Sequence, residues 1–261
     1  MDAIVLAGGR MAPGDPLYKR AEGGIKVMIE IAGKPMIQWV IDALNQSDHI
    51  EHIFISGLAD NGQLVSVKKI IYFEGGKNLM DSILVGMYQL MEFNPKAENC
   101  LVVSGDIPVI NGKIVDWVVN SANEPGVEIF YNVVPRSVME KRFPGSKRSY
   151  VKLKDVTVCG GDMHVFNPQS TIRDGSKWRY IVESRKSLYK LMFLFGLEIL
   201  FRAIFKMPTL EGIAELICNR LKMKGKAVLS PYAELGMDVD KPHQFQLVEK
   251  ELKNLTLIKK Q

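Results

Sequence analysis

The feature that most constrains this chain is an alternation of two hydrophobic periods along its first half. Short, nearly continuous apolar runs occupy residues 3–7, 52–56, 69–73, 100–104 and 127–133. Between them, residues 35–45, 79–93 and 113–122 space their apolar side chains for one face of a helix. Strands that are apolar throughout are buried on both faces, and intervening helices supply both covers. The expected fold is therefore α/β, a mainly parallel, doubly wound, Rossmann-like sheet. Pro35, directly after Gly33 and Lys34, suits the first position of the first long helix.

After residue 134 the pattern changes. Residues 141–168 read as a charged loop followed by a β-hairpin, with Asp155 near its turn. Gly160 and Gly161 then mark a bulge or a close backbone approach. Helical segments around 182–205 and 210–222 follow, then a strand at 226–230 and a terminal helix opened by Pro242. No repeat or low-complexity linker divides the chain, so residues 1–261 are expected to form one domain. Its parts are a ligand-binding part over about 1–134, a hairpin and helical insertion on the substrate side over about 135–225, and a closing segment over about 226–261.

Hydrophobic content of 47% and charged content of 24% are those of a soluble globular protein. The formal net charge of +5 fits a small anionic substrate. No element gathers basic residues beside aromatic platforms, so nucleic acid is not expected as a partner. The basic run Lys141, Arg142, Lys147, Arg148, Lys152 and Lys154 reads either as a solvated loop or as a collector of an anionic second substrate. Cys100, Cys159 and Cys218 are far apart and odd in number, which argues against disulfides and for a reducing cytoplasm. His49, His52, His164 and His243 show no metal-ligand spacing.

The first apolar run is too short for a signal peptide, so none is expected. Residues 188–205 form the one membrane-like stretch, but Lys190, Glu198 and Arg202 interrupt it. Their spacing of eight and four places them on one helix face. An amphipathic helix is expected there rather than a transmembrane segment. Its apolar face would enter the core or a homodimer interface, or else meet an apolar substrate or a membrane surface.

In doubly wound sheets, ligands bind at the carboxyl ends of the strands. The stretch LAGGRMAPGDPLYKRAEGGIK, residues 6–26, follows the first strand and fails both standard glycine motifs. A dinucleotide fingerprint needs another glycine soon after Gly9, where the chain reads Arg10, Met11, Ala12. A P-loop needs Ser or Thr after Gly33 and Lys34, where the chain has Pro35.

With LAGG, the basic loop reaching Lys26 and IAGKPMIQWVIDAL, the N-terminus resembles that of the sugar-phosphate nucleotidyltransferases and molybdenum-cofactor guanylyltransferase-like proteins. GGKNLMDSILVGM, residues 75–87, resembles the base-recognition segment of the methylerythritol phosphate cytidylyltransferases. CLVVSGDIPVI, residues 100–110, is similar to the strand that delivers a metal-binding aspartate. MDVDKPHQF, residues 237–245, resembles the DIDTPEDL segment with a second ligand. The four matches occur in order over nearly the whole chain.

The resemblance implies the nucleotide-diphospho-sugar transferase type of fold. It also implies Mg²⁺-dependent transfer of an NMP from an NTP to a phosphorylated small molecule, with pyrophosphate released. It places Leu6, Ala7, Gly8, Gly9 and Arg10 at the phosphates, with Lys26 as the charge facing the α-phosphate. It assigns Gly76 and Ser82 to the base and ribose, Asp106 and Asp240 to the metal, and Gly161 and Asp162 to the acceptor.

Asp238 is the alternative to Asp240, since an extended segment points both the same way. Arg10 and Arg20 both remain candidates for the phosphate loop. CTP is faintly preferred, although Leu79 stands where cytidylyltransferases commonly carry arginine. Two rival readings stay open. A nucleotide-sugar glycosyltransferase would use a DxD motif, present literally only at Asp238 and Asp240. A non-catalytic nucleotide-binding protein would bind NTP without turnover.

Overall fold

The computed structural model describes residues 1–175 and 208–258. The first half alternates as its hydrophobic pattern requires. Strand β1 (Asp2–Leu6) leads through a long loop to a small hairpin, β2 (Glu30–Ile31) and β3 (Lys34–Pro35), and then helix α1 (Met36–Gln46). Strands β4 (His52–Ser56) and β5 (Lys69–Phe73), helix α2 (Leu79–Phe93), strand β6 (Cys100–Ser104) and helix α3 (Gly112–Ser121) follow. Strands β5, β4, β1 and β6 lie side by side in that order, all parallel.

The second half changes hand. After β7 (Ile129–Pro135) come helix α4 (Arg136–Arg142) and the hairpin β8 (Val151–Lys152) and β9 (Thr157–Gly160). Strand β10 (Met163–Phe166), helix α5 (Pro168–Arg173), helix α6 (Leu210–Leu221), strand β11 (Gly225–Leu229) and helix α7 (Pro242–Ile258) complete the described elements. β10 inserts between β6 and β7, antiparallel to both, while β11 pairs with β7 in parallel. The sheet is thus mixed, with a parallel half matching the expected α/β order. β10 reaches the sheet directly from a hairpin, with no helical crossover, so it runs back against its neighbours.

Two covers bury the sheet. α1 and α3 bring Ile37, Ile41, Leu44, Ile114 and Val118 onto one face. α2 lays Met80, Ile83, Met87 and Leu90 over Ile4, Phe54 and Val102 on the other. Each such side chain contributes roughly 1.5–3 kcal/mol by leaving water. Gly86 lets α2 approach closely, since a Cβ there would lie 3.0 Å from Ile4 Cγ2.

Several expectations shift. Pro35 is not the first helical residue. It closes the β2–β3 hairpin in extended conformation and stands at the cap of α1. The turn of that hairpin uses left-handed backbone at Ala32 and Gly33. β7 starts two residues later than the apolar run suggested, because Gly126 turns the chain at φ 77° and the Val127 N–H donates to Glu124. The expected close approach is at Gly161, whose N–H donates to the Asn132 carbonyl at 3.0 Å as the chain crosses β7. The helix expected over 188–205, within the segment 182–205, lies outside the described residues. Among the described residues no helix is long and apolar enough to cross a membrane.

Candidate active site

The glycine loop sits at the carboxyl end of β1. Leu6 ends the strand and its carbonyl accepts the Gly105 N–H at 3.0 Å, tying this loop to the one after β6. Ala7 is buried and its N–H is spent on the Ser56 carbonyl at 2.9 Å. The amides on offer to a ligand are therefore those of the exposed Gly8 and Gly9 rather than that of Ala7. From Gly9 the chain runs out and returns alongside itself. Arg10 bridges to Ile25, the Met11 N–H donates to Gly24, and the Lys26 N–H donates to Gly9 at 3.1 Å. This ribbon sets Lys26 beside Gly9, with Leu17 and Ala21 buried in its far end as anchors.

The same ribbon separates the two arginines. The Arg20 guanidinium lies 4.3 Å from the centroid of the Phe245 ring on α7, a cation–π contact away from the glycines. Arg10 remains exposed at the glycine turn.

The Lys26 side chain points into a carboxylate pair. Its Nζ donates to Asp106 Oδ2 at 2.5 Å and to Asp240 Oδ1. Asp106 follows β6, and Ser104 at the end of that strand donates its hydroxyl to Asp106 Oδ1 at 2.5 Å. Asp240 arrives from the other end of the chain, fixed by the Val239 N–H on the Asp106 carbonyl at 3.1 Å. Gln244 of α7 accepts the N–H groups of Asp240 and Lys241, so Gln244 caps the helix. Burial alone would lower the Lys26 ammonium, but the attraction of Asp106 and Asp240 outweighs it and holds its pKa above the ordinary value.

Asp238 goes elsewhere. It shares with Asp240 the side of the segment opposite buried Met237 and Val239, as alternation requires. Its Oδ1 accepts from Arg148 Nη1, however, and Arg148 Nη2 lies 3.8 Å from Asp162 Oδ2. Only Asp240 joins Lys26 and Asp106. Asp162 lies between these groups in the backbone, accepting the Ser104 N–H and donating its own to Leu235. Asp162 thus faces Arg148 through its side chain while its backbone touches Ser104, and Gly161 rests on Asn132 of β7. Two members of the basic run are committed to ion pairs, Arg142 with Glu234 and Glu251 and Arg148 with Asp238, while Lys141, Lys147, Lys152 and Lys154 are exposed.

On the base side, the Ser82 hydroxyl accepts the Gly76 N–H at 3.0 Å, and Asn78 caps α2 by accepting from the Asp81 N–H at 2.9 Å. A Cβ at Gly76 would fall 2.3 Å from Asp81. Sequence reasoning missed Gly57. It has φ 83°, and a Cβ there would lie 2.6 Å from the Gly8 Cα, so the loops after β1 and β4 touch through bare backbone. Ser104 was also missed, although its place directly before Gly105 and Asp106 could have flagged it.

At the opposite end of the strands, ligating atoms of Asp2, Glu51 and His52 lie within 4.8 Å of one another. These side chains are paired internally: His52 with Asp2 at 2.8 Å, Glu51 with the N-terminal ammonium at 3.2 Å.

Comparison with known proteins identifies a family and a fold. The model of the MobA-like NTP transferase domain matches residues 3–170. A probable molybdenum cofactor guanylyltransferase of Thermococcus gammatolerans is 28% identical over 48% of this chain and 59% of its own length. A 2-C-methyl-D-erythritol 4-phosphate cytidylyltransferase of Lachnospira eligens is 30% identical over 44% of this chain and 49% of its own. The chain thus spans about half to three-fifths of the length of these curated relatives. A hypothetical transferase structure from Thermus thermophilus superposes with TM-score 0.80 at 26% identity, covering 94% of this chain and 98% of that one. A 4-diphosphocytidyl-2C-methyl-D-erythritol synthase from Anaerococcus prevotii has TM-score 0.60 at 12% identity over 97% and 95%, a likeness of fold. With β2 through β10 and nearly all of β1 inside the matched span, the chain belongs to the MobA-like NTP transferase domain family.

Proposed function

We propose that the protein transfers an NMP from an NTP to a phosphorylated small molecule in an Mg²⁺-dependent reaction. The observation that carries this reading is the Lys26 ammonium held between Asp106 and Asp240 beside the exposed glycine turn. Two carboxylates aimed at one point are a hard oxygen donor set of the kind Mg²⁺ takes, and the cation they already share supports that use. Bound there, Mg²⁺ would neutralise phosphate charge as the bonds change.

In the reaction an acceptor phosphate oxygen forms a bond to the α-phosphorus, and the bond to the departing pyrophosphate breaks in line. The acceptor is already anionic, so no general base is needed, and the protein's work is positioning and charge neutralisation. Gly8 and Gly9 present backbone amides to the phosphates, with Arg10 at their edge. Lys26 turns from the carboxylates to the α-phosphate as negative charge gathers there. Gly76 and Ser82 shape the base and ribose side, and residues about 135–225, including Gly161 and Asp162, form the acceptor side of a single domain. The relatives' names point to GTP and CTP as the nucleotides to test first.

The glycosyltransferase reading needs Asp238 and Asp240 to act together, and the Arg148 ion pair on Asp238 disfavours it. The test is pyrophosphate release by the purified protein with each NTP, Mg²⁺ and a panel of phosphorylated acceptors. Lys26→Met and Asp106→Asn are each expected to lower the rate about 10²–10³-fold. Unchanged release in both variants, or sugar transfer without pyrophosphate, would overturn the reading.

A further inference from the structure

We propose that Arg148 is a positioning residue that aims Asp240 at the cation site by holding Asp238. The inference rests on Asp106 and Asp240 as the metal ligands. Residues 237–241 carry Asp240 in a stretch without regular structure, between a 3-10 turn at Ala233–Gly236 and α7. Asp240 is itself half exposed, its side chain 53% accessible, so its direction depends on what fixes the backbone either side.

The loop after α4 supplies both fixings. Arg148, itself mostly buried, pairs through Nη1 with Asp238, two residues before Asp240. Two residues earlier in that loop, the Ser146 carbonyl accepts the Nε2–H of His243, three residues after Asp240, at 3.1 Å. One short loop thus clasps the segment on both sides of Asp240, while the Val239 N–H pins its centre to the Asp106 carbonyl.

The side chain at 148 has to be cationic and well oriented. Asp238 and Asp162 flank the guanidinium, at 14% and 30% exposure, and the planar fork reaches both in one orientation. Without it, two carboxylates are left close together beside the segment that bears Asp240, and their repulsion would drive Asp238 outward. A hydrogen-bonded partner that fixes a ligand's orientation typically changes metal affinity by about 10–100-fold.

The experiment uses full-length protein, with Mn²⁺ affinity read by electron paramagnetic resonance without nucleotide, and kcat and KM read from pyrophosphate release. Arg148→Met is expected to weaken Mn²⁺ binding about tenfold and to lower kcat while KM for the NTP holds. Asp238→Asn should give the same loss, and the double variant no more than either single one, because one pair is being removed. Arg148→Lys, which keeps the charge without the planar fork, should recover only part of the affinity and stays informative if Arg148→Met fails to fold. Additive losses, or a fall in kcat with Mn²⁺ affinity unchanged, would overturn the inference. Asp106→Asn separates it from the reading beneath it. If that variant binds Mn²⁺ normally, the ligand assignment falls and this inference with it. If it loses Mn²⁺ while Arg148→Met does not, only the positioning role falls.

Discussion

The Lys26 and Arg148 clusters are built from the same parts, one cation between two aspartates, and their aspartates at 240 and 238 are close neighbours. They differ in the access of one carboxylate, Asp240. Arg148 and Asp238 are 15% and 14% exposed, whereas Asp240 is 53% exposed. A closed ion pair is desolvated once, during folding, and its charges are then committed to the fold. A half-open one keeps a carboxylate, here Asp240, that can change partners at little cost because water already reaches it, beside a lysine and an aspartate at 16% and 14% exposure. The contrast teaches that the charge pattern alone does not mark the chemical centre. What marks it is a charge pattern that solvent can still reach beside a bare glycine turn.

The sharpest way to break this comparison is to neutralise each aspartate in turn. Asp240→Asn should lower pyrophosphate release by about 10²-fold and leave the urea midpoint nearly unchanged. Asp238→Asn should cost about 3 kcal/mol of unfolding free energy, beyond its effect on Mn²⁺ binding. Equal destabilisation by the two substitutions would erase the distinction.

Alkaline unfolding gives a smaller effect. The Lys26 pKa is raised in the folded state, so its contribution is fully present below the unfolded value of 10.5 and is lost as pH climbs through the folded value. Urea unfolding followed from below pH 10.5 into the alkaline range above it should show a steeper decline for wild type than for Lys26→Met. Parallel curves would detach Lys26 from the carboxylates.

The smallest expected effect lies in the Arg148 loop. Burial, then the hydrogen bond to Glu140, pushes the Tyr150 phenol from 10.0 up to about 12. Its raised pKa again means stability present below 10 and lost above it. Tyr150→Phe should cost about 1 kcal/mol at neutral pH and flatten part of the decline between pH 10 and 12. An unaltered alkaline curve would remove Tyr150 from that account.

Much of the parallel half was legible because its signals are local. Residues 79–93 became a helix with those bounds, since Asn78 supplies the cap and the apolar spacing holds throughout. Residues 52–56, 69–73 and 100–104 became strands as read. What could not be read depends on partners far along the chain. β10 slips between β6 and β7 through pairings that no local pattern encodes. Arg148 looked like one more charge in a basic loop, because Asp238 lies 90 residues away. Gly57 carried no motif, and its meaning comes only from Gly8 lying against it. Ala7 stood within the glycine signature, yet Ser56 on the neighbouring strand had already taken its amide.

The contact between Lys26 and Asp240 joins residues 214 apart. Closing so long a loop costs entropy that only the assembled sheet can offset, so this contact belongs among the last events of folding. The assembled trio therefore reports that the segment leading into α7 has docked against the loops after β1 and β6.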